Sequence, residues 1–399
     1  MAASGNVVLP TVENFSPVLG GPLFRLFLRT HLSDDELQLV RRRAVVLALF
    51  AWLPLLLLST LERHLFGGGL AVPFVMDVEV HVRFLVAVPL LIGAELMAHR
   101  RIPPAVRQFC ERRLIPEDAM PRFDAAVASA FRLRNSVLAE VILIVLVYGV
   151  GILIVWRQYL ALDAATWYAT PTAAGAHLSV AGMWYGYVSL PISQFLLCRW
   201  YFRLGIWAYF LWQVSRIKLN LIPTHPDRNA GLGFLTGTFC AFGLLAAAHG
   251  ALVAGQIANR IFFLGATLPE FKMQIAGLVI IVLCMVFAPL LVFAPQLERA
   301  QRTGNREYGI LAERYVHEFD RKWLRGAAPA NEPLLGSSDI QSLADLASSL
   351  EVVRTMRITL ITADGVIRLA VAVLLPIAPL ALTMMPLDQL LKTLLGLVF

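Results

Sequence analysis

A polar stripe crosses one of the most apolar segments of the chain. His249, Gln256 and Arg260 are separated by seven and four residues, which places them on one face of an α-helix, and Asn259 is adjacent. Polar groups inside a membrane must face a partner or water, so this stripe is a candidate pathway or ligand site in which histidine can titrate. The alternative is a buried histidine bonded to a backbone carbonyl, with Asn259 and Arg260 at the lipid headgroups.

Two carboxylates lie near the ends of two other apolar segments. Glu95 and Glu140 would each be costly as unpaired charges in lipid. We therefore expect His99 to partner Glu95, and Arg132 or Arg134 to lie near Glu140. The pair could serve as a coupled site for protons or cations. The alternative is that these ion pairs anchor the helices at the headgroup boundary.

The loop at 223–233, PTHPDRNAGLG, is the most distinctive polar sequence in the chain. Its prolines predict a tight turn before a helix, and its glycines leave backbone N–H groups open, which suits an anion, a phosphate or a lipid headgroup. The same residue types also cap ordinary helices, and no phosphate-loop motif is present. The candidate residues of this loop are His225, Asp227, Arg228 and Asn229.

The amino-acid composition indicates the class of protein in which these polar residues lie. The chain has 399 residues, of which 58% are hydrophobic and 15% charged, and its mean hydropathy is +0.68. Soluble domains average about 45–50% apolar and about 25% charged residues, so a soluble enzyme is excluded. The sequence predicts an integral membrane protein.

Seven apolar runs approach the roughly 20 residues that cross a bilayer. They are 44–61, 80–98, 138–156, 178–197, 234–257, 275–295 and 369–385. The run 204–214 is too short to span, so it continues the fourth span or lies in the interface. The predicted fold is an all-α, polytopic membrane bundle of about seven transmembrane helices with a small cytoplasmic helical hairpin.

Basic residues orient the bundle. The loops on one side of these spans carry 28 Lys and Arg residues, against 6 on the other, which predicts a cytoplasmic N-terminus and a periplasmic C-terminus. Arginine outnumbers lysine 30 to 4, a usage typical of bacteria with GC-rich genomes, so we expect the inner membrane. The sequence divides into four predicted parts. Residues 1–43 form a cytoplasmic segment with an interfacial helix at 22–32, and residues 44–298 contain spans one to six. Residues 299–365 form a cytoplasmic helical hairpin, and residues 366–399 contain the seventh span followed by an outer interfacial helix at 387–399.

Several chemistries find no support in the sequence. The formal charge is +7, but the basic residues lie in loops between spans, so nucleic acid is not an expected partner. The four cysteines occur singly and no metal or cofactor motif is present, so neither a metal site nor a cofactor is expected. No catalytic residue is assigned.

Three functions stay open. The polar stripe, the carboxylates and the prolines within the spans favour a channel or transporter for a small solute or ion. A non-catalytic sensor or scaffold would bind a cytoplasmic protein through the hairpin at 299–365. A lipid-acting enzyme, the least favoured class, would need His225, Asp227 and His249 in one site. Membrane lipids are expected partners in each case, and a homo-oligomer is an open alternative.

Overall fold

The computed structural model describes residues 15, 20, 39–67, 69–156, 165–172, 175–326, 328–329, 332–333 and 337–384. Within them the protein is mainly α-helical, with one short strand pair, which fits the all-α prediction. The predicted interfacial helices at 22–32 and 387–399 lie outside the described residues.

Ten helices follow one another along the described chain. They are α1 Val40–Leu61, α2 Val78–Glu111, α3 Met120–Arg134, α4 Val137–Leu146, α5 at 180–214, α6 Gly243–Leu264, α7 Lys272–Phe287, α8 Ala294–Phe319, α9 Ser338–Arg354 and α10 Ala363–Leu374. π-Helical stretches occupy Arg83–Ala87 in α2, Val147–Trp156 after α4, Tyr185–Ser189 in α5 and Asp320–Leu324 after α8. Short 3-10 helices occupy Phe74–Met76, Glu117–Ala119, Gly233–Phe242, Leu268–Phe271, Ala288–Phe293 and Ala378–Met384.

Four of these helical stretches are long and apolar enough to cross a membrane: Val40–Leu61, Val78–Glu111, Gly233–Leu264 and Leu268–Leu324. Two more qualify if each bent pair is one span, with bends of 47° at the α3–α4 break and 57° after α10. The described chain therefore has four to six candidate spans, and the predicted seven are not confirmed. The predicted span that does not qualify is the one in α5. This segment is helical throughout 180–214, but its first half carries serine, glutamine and tyrosine side chains.

Local capping explains where several helices begin. Side-chain oxygens accept bonds from the backbone N–H groups of the first turn, which otherwise lack partners. Asp77 caps α2 through Val80 N at 3.2 Å, and Ser179 caps α5 through Gly182 N at 2.9 Å. The Glu62 carboxylate adds bonds of 2.7 and 3.2 Å from Val180 N and Ala181 N, which tie the end of α1 to the start of α5.

The central helix of the bundle is α6. A Cβ added at Gly250 would overlap the backbone carbonyl of Val373 on α10, and one added at Gly255 would lie 3.0 Å from the Cα of Glu79 on α2. Small residues on one helix allow this close approach between backbones. Gly243, at the start of the same helix, faces open space.

The two ends of the bundle differ. At one end the antiparallel strands β1 Ala169–Thr172 and β2 Gly175–Leu178 pair, with Ala169 opposite Leu178, near the starts of α2 and α5; we call this the strand end. At the other end Leu268–Leu324 runs on past the membrane as a helix of 57 residues, roughly 85 Å long at 1.5 Å per residue. The hydrocarbon layer of a bilayer is about 30 Å thick, so the second half of this long helix projects beyond the bundle. The helix α9 packs back against α8.

Candidate functional site

A buried ion cluster joins three helices. Glu95 on α2 accepts a hydrogen bond of 2.7 Å from Arg203 Nη1 on α5, and its second carboxylate oxygen contacts Arg43 Nη2 on α1. All three residues are at most 5% exposed. A buried carboxylate of this kind is stable only when it is paired and hydrogen-bonded, and here two guanidinium groups share it.

Arg199 lies one helical turn before Arg203 and belongs to the same cluster. Its Nη2 is 3.9 Å from Glu140 Oε1, and its hydrogen bond to the Gly20 carbonyl oxygen is 3.5 Å long. Charge-assisted hydrogen bonds are normally about 2.7–2.9 Å long. Arg199 is therefore a buried cation, 6% exposed, whose described contacts are all long.

A small cavity opens beside Arg199. Its lining is formed by Gly20, Arg134, Glu140, Leu143, Arg199, Phe202, Arg203 and Ile206. The space in it for the centre of a water molecule is about 10 Å³, which is close to the room that one water needs. The cluster is therefore reached by a cavity whose polar lining is mostly guanidinium groups.

The partners of Glu95 differ from the sequence expectation, since Glu95 contacts Arg43 and Arg203 rather than His99. Glu140 faces Arg199, and Arg134, one of its two expected neighbours, lines the same cavity. The sequence left the run at 204–214 as either a continuation of the fourth span or an interfacial segment, and α5 continues unbroken to Val214. The run at 204–214 is therefore the continuation of that helix. Two arginines four residues apart inside a helical apolar run were the signal in the sequence.

The polar stripe of α6 makes separate contacts. His249 is 8% exposed; its Nδ1 is 2.8 Å from the Leu245 carbonyl oxygen, and its Nε2 is 2.8 Å from the Tyr201 hydroxyl. This is the arrangement of a buried histidine with both ring nitrogens satisfied. Gln256 is half-buried further along α6. His249, Gln256 and Glu95 line none of four cavities that the described residues enclose.

The last two residues of the stripe reach the strand end. Asn259 Nδ2 donates to Asp77 Oδ1 at 2.8 Å, and Trp167 Nε1 donates to Asp77 Oδ2 at 2.8 Å. Arg260 is exposed and lies 5.9 Å from the ring centre of Phe271. The buried Asp77 and the half-buried Asn259 thus form a second polar group, at the opposite end of the bundle from Arg199.

Asp227 organises the 223–233 loop. Its Oδ1 accepts from Asn229 N at 2.8 Å and Gly231 N at 3.1 Å, and its Oδ2 accepts from Gly233 N at 2.8 Å. Burial raises the pKa of Asp227, but these N–H donors and the nearby His225 hold that pKa below its ordinary value. The backbone N–H groups that the sequence offered to an anion are therefore taken by the loop's own carboxylate.

The other candidate residues of this loop contact Asp227 or the chain that follows α9. His225 Nδ1 lies 3.0 Å from Asp227 Oδ1. Arg228 has a positive φ of 56°, and its carbonyl oxygen accepts from Arg357 N at 2.7 Å. Asn229 is 2% exposed and donates to the Thr359 carbonyl oxygen at 3.1 Å. These bonds fasten the loop to the chain between α9 and α10.

No protein-family model, curated protein or solved structure matches this chain. Function must therefore be inferred from the geometry alone. Within the described part of the chain no group of three His, Cys, Asp or Glu side chains is placed to hold a metal ion. Of the groups above, the cluster around Arg199 combines buried charge, long contacts and an adjoining cavity.

Proposed function

We propose that this protein is a channel or transporter for a small anion, set in a bacterial inner membrane with its N-terminus in the cytoplasm. The observation that carries the proposal is Arg199, a buried cation whose described contacts are long and which lines a cavity with Arg203. An ionisable residue inside a membrane bundle is a functional candidate by default, because it is costly to keep there. A guanidinium presents several N–H donors in one plane, which suits an anion with two or more acceptor oxygens.

Anion passage would require the bundle to open. The cavity at Arg199 has room for about one water, and none of the four cavities joins it to the strand end. The π-helical turns Arg83–Ala87 in α2 and Tyr185–Ser189 in α5 are places where a helix can bend. The rings of Phe84 and Tyr185 contact there, with centroids 6.2 Å apart, so the two helices could move together.

The test is flux through the purified protein in liposomes. Arg199→Gln should lower the flux of a small oxyanion or halide by at least tenfold, because it removes the cation that the anion would contact. Arg132→Gln is the matched control, since Arg132 is exposed and forms no ion pair with a described carboxylate. Its flux should equal that of the unaltered protein.

Three results would overturn the anion proposal. They are flux no greater than in empty liposomes, equal flux for Arg199→Gln and the unaltered protein, and transport of cations alone. A melting temperature for Arg199→Gln close to that of the unaltered protein would establish that lost flux is not lost folding.

A second candidate is a sensor or scaffold that binds a cytoplasmic protein through the helical hairpin of α8 and α9. The hairpin is held at its tip by Asp339, whose carboxylate accepts from Lys322 Nζ at 2.8 Å and Trp323 Nε1 at 2.9 Å. Apolar side chains on this projecting arm are nevertheless exposed: Ile310, Leu311, Val316, Leu324 and Ile340. Exposed apolar groups on a projecting helix pair favour a protein partner.

Point variants test this candidate better than deletion of α9, which would also uncover the packed face of α8. Ile310→Asp with Leu311→Asp should abolish crosslinking to a partner in native membranes while leaving anion flux intact. Arg306→Gln with Arg314→Gln, on the exposed surface of the same helix, is the control. Identical crosslinking patterns for all variants would count against the scaffold. A lipid-acting enzyme would need His225 and His249 in one site, whereas His225 contacts Asp227 and His249 contacts Tyr201 and Leu245.

A further inference from the structure

A basic groove lies at the base of the projecting hairpin. It has a volume of about 860 Å³ and runs between the end of α5, the loop that follows, and the first turns of α8. The lining residues that matter here are Trp212, Arg216, Lys218, Val292, Gln296 and Arg299. This groove belongs neither to the Arg199 cluster nor to the exposed tip of the hairpin.

The basic side chains of the groove have no acidic partner among the described residues. Arg216, Lys218 and Arg299 are exposed, and none forms an ion pair with a described carboxylate. The guanidinium of Arg216 lies 5.0 Å from the ring centre of Trp212. The groove's one acidic lining residue, Glu307, is two helical turns beyond Arg299 on α8. The half of the groove nearest the membrane is thus positively charged.

The groove has a rigid floor. Gln296 Nε2 donates to the carbonyl oxygens of Ser215 and Ile217 at 2.6 and 2.8 Å, which fixes the loop after α5 against α8. Leu219, 7% exposed, contributes to the apolar part of the lining. The spacing between the basic side chains is therefore set by the fold rather than by a free loop.

Exposed aromatic and apolar side chains lie beside the groove. Tyr209 and Trp212 near the end of α5 are 42% and 43% exposed, as is typical of aromatic residues at a membrane interface. Leu291, just before the groove's Val292, is 44% exposed on the side of the apolar span. Apolar surface thus leads from the span directly to the cations.

We propose that this groove binds the phosphate headgroup of an acidic phospholipid. The three cations attract the negatively charged headgroup, and the exposed apolar surface beside Trp212 and Leu291 accommodates the acyl chains. A soluble phosphate would gain nothing from that apolar surface, which is why the occupant is a lipid. The inference is independent of whether the protein transports an anion.

The experiment measures lipid retention by native mass spectrometry on the full-length protein in mild detergent. Phosphatidylglycerol and phosphatidylcholine of the same acyl chains are titrated in parallel. The unaltered protein should retain phosphatidylglycerol at least tenfold more tightly than phosphatidylcholine. The variant Arg216→Gln, Lys218→Gln, Arg299→Gln should lose this preference, because it removes three charges from the groove.

Two further variants separate the groove from general charge and from folding. Arg100→Gln, Arg101→Gln, Arg107→Gln removes the same charge from exposed positions of α2 and should keep the preference. Arg216→Lys, Lys218→Arg, Arg299→Lys keeps the charge in the groove and should also keep it. The proposal is overturned if the groove variant retains the preference, if the α2 variant loses it equally, or if inorganic phosphate at millimolar concentration displaces the lipid.

Discussion

Arg203 and Glu95 share a hydrogen bond of 2.7 Å although they lie 108 positions apart in the chain. Arg43 contacts the other oxygen of the same carboxylate, so α1, α2 and α5 meet at one buried anion. Arrangements of this kind depend on every member, since removing one partner leaves an uncompensated charge in a medium of low dielectric constant.

Glu95→Gln should therefore destabilise the protein rather than act only on flux. The substitution leaves Arg43 and Arg203 buried without their shared carboxylate, at an expected cost of about 3–5 kcal/mol. The measurement is thermal unfolding in detergent, followed by intrinsic fluorescence. Arg43→Met, Glu95→Leu, Arg203→Met, which removes all three charges together, should be closer to the unaltered protein than Glu95→Gln is. The reverse order of stabilities would contradict this account.

The sequence identified Glu95 as a charge needing a partner but could not identify the partner. A helical pattern shows which residues share a face of one helix, whereas Arg203 reaches Glu95 only through the packing of α5 against α2. The same limit applies to α5 itself, where the sequence left 204–214 as either a continuation of the span or an interfacial segment, and the backbone continues as one helix to Val214. Which glycines of α6 meet a neighbouring backbone also depends on tertiary packing, since Gly250 and Gly255 do so and Gly243 does not.

Gly250→Ala should weaken the contact between α6 and α10. The added Cβ would overlap the backbone carbonyl of Val373, which cannot rotate away as a flexible side chain could. Gly243→Ala is the matched control, since no atom lies within 4 Å of its added Cβ and alanine favours a helix over glycine by about 1 kcal/mol. We expect a lower melting temperature for Gly250→Ala and an equal or higher one for Gly243→Ala. An equal or higher melting temperature for both variants would show that helix propensity, not packing, governs α6.

Asp227→Asn should loosen the 223–233 loop. An amide keeps only one acceptor oxygen, so it loses the backbone bonds at the other oxygen and the charge that strengthens those that stay, at a cost of about 1–3 kcal/mol. Proteolysis at the loop, assayed on the purified protein near neutral pH, should be faster in the variant. Equal rates would mean that the bonds to Thr359 and Arg357 hold the loop without the carboxylate.

The same residue predicts a dependence on pH with a definite sign. Because the folded pKa of Asp227 is below its ordinary value, its charge stabilises the fold above the unfolded pKa of about 4. That stability is lost as the pH falls through the folded pKa. The difference in melting temperature between the unaltered protein and Asp227→Asn should therefore be constant near pH 7 and shrink below about pH 4. A difference that grows in acid would refute the assignment.

Tyr201→Phe tests whether His249 is structural. The hydroxyl of Tyr201 lies 2.8 Å from His249 Nε2, while Nδ1 is occupied by the Leu245 carbonyl oxygen. Removing the hydroxyl leaves one buried ring nitrogen unpaired, at a cost of about 1–2 kcal/mol. If His249 only packs the bundle, Tyr201→Phe and His249→Gln should both lower the melting temperature and leave liposome flux per folded protein unchanged. If either variant changes the pH dependence of flux instead, the imidazole takes part in the pathway and the α6 stripe is more than a packing feature.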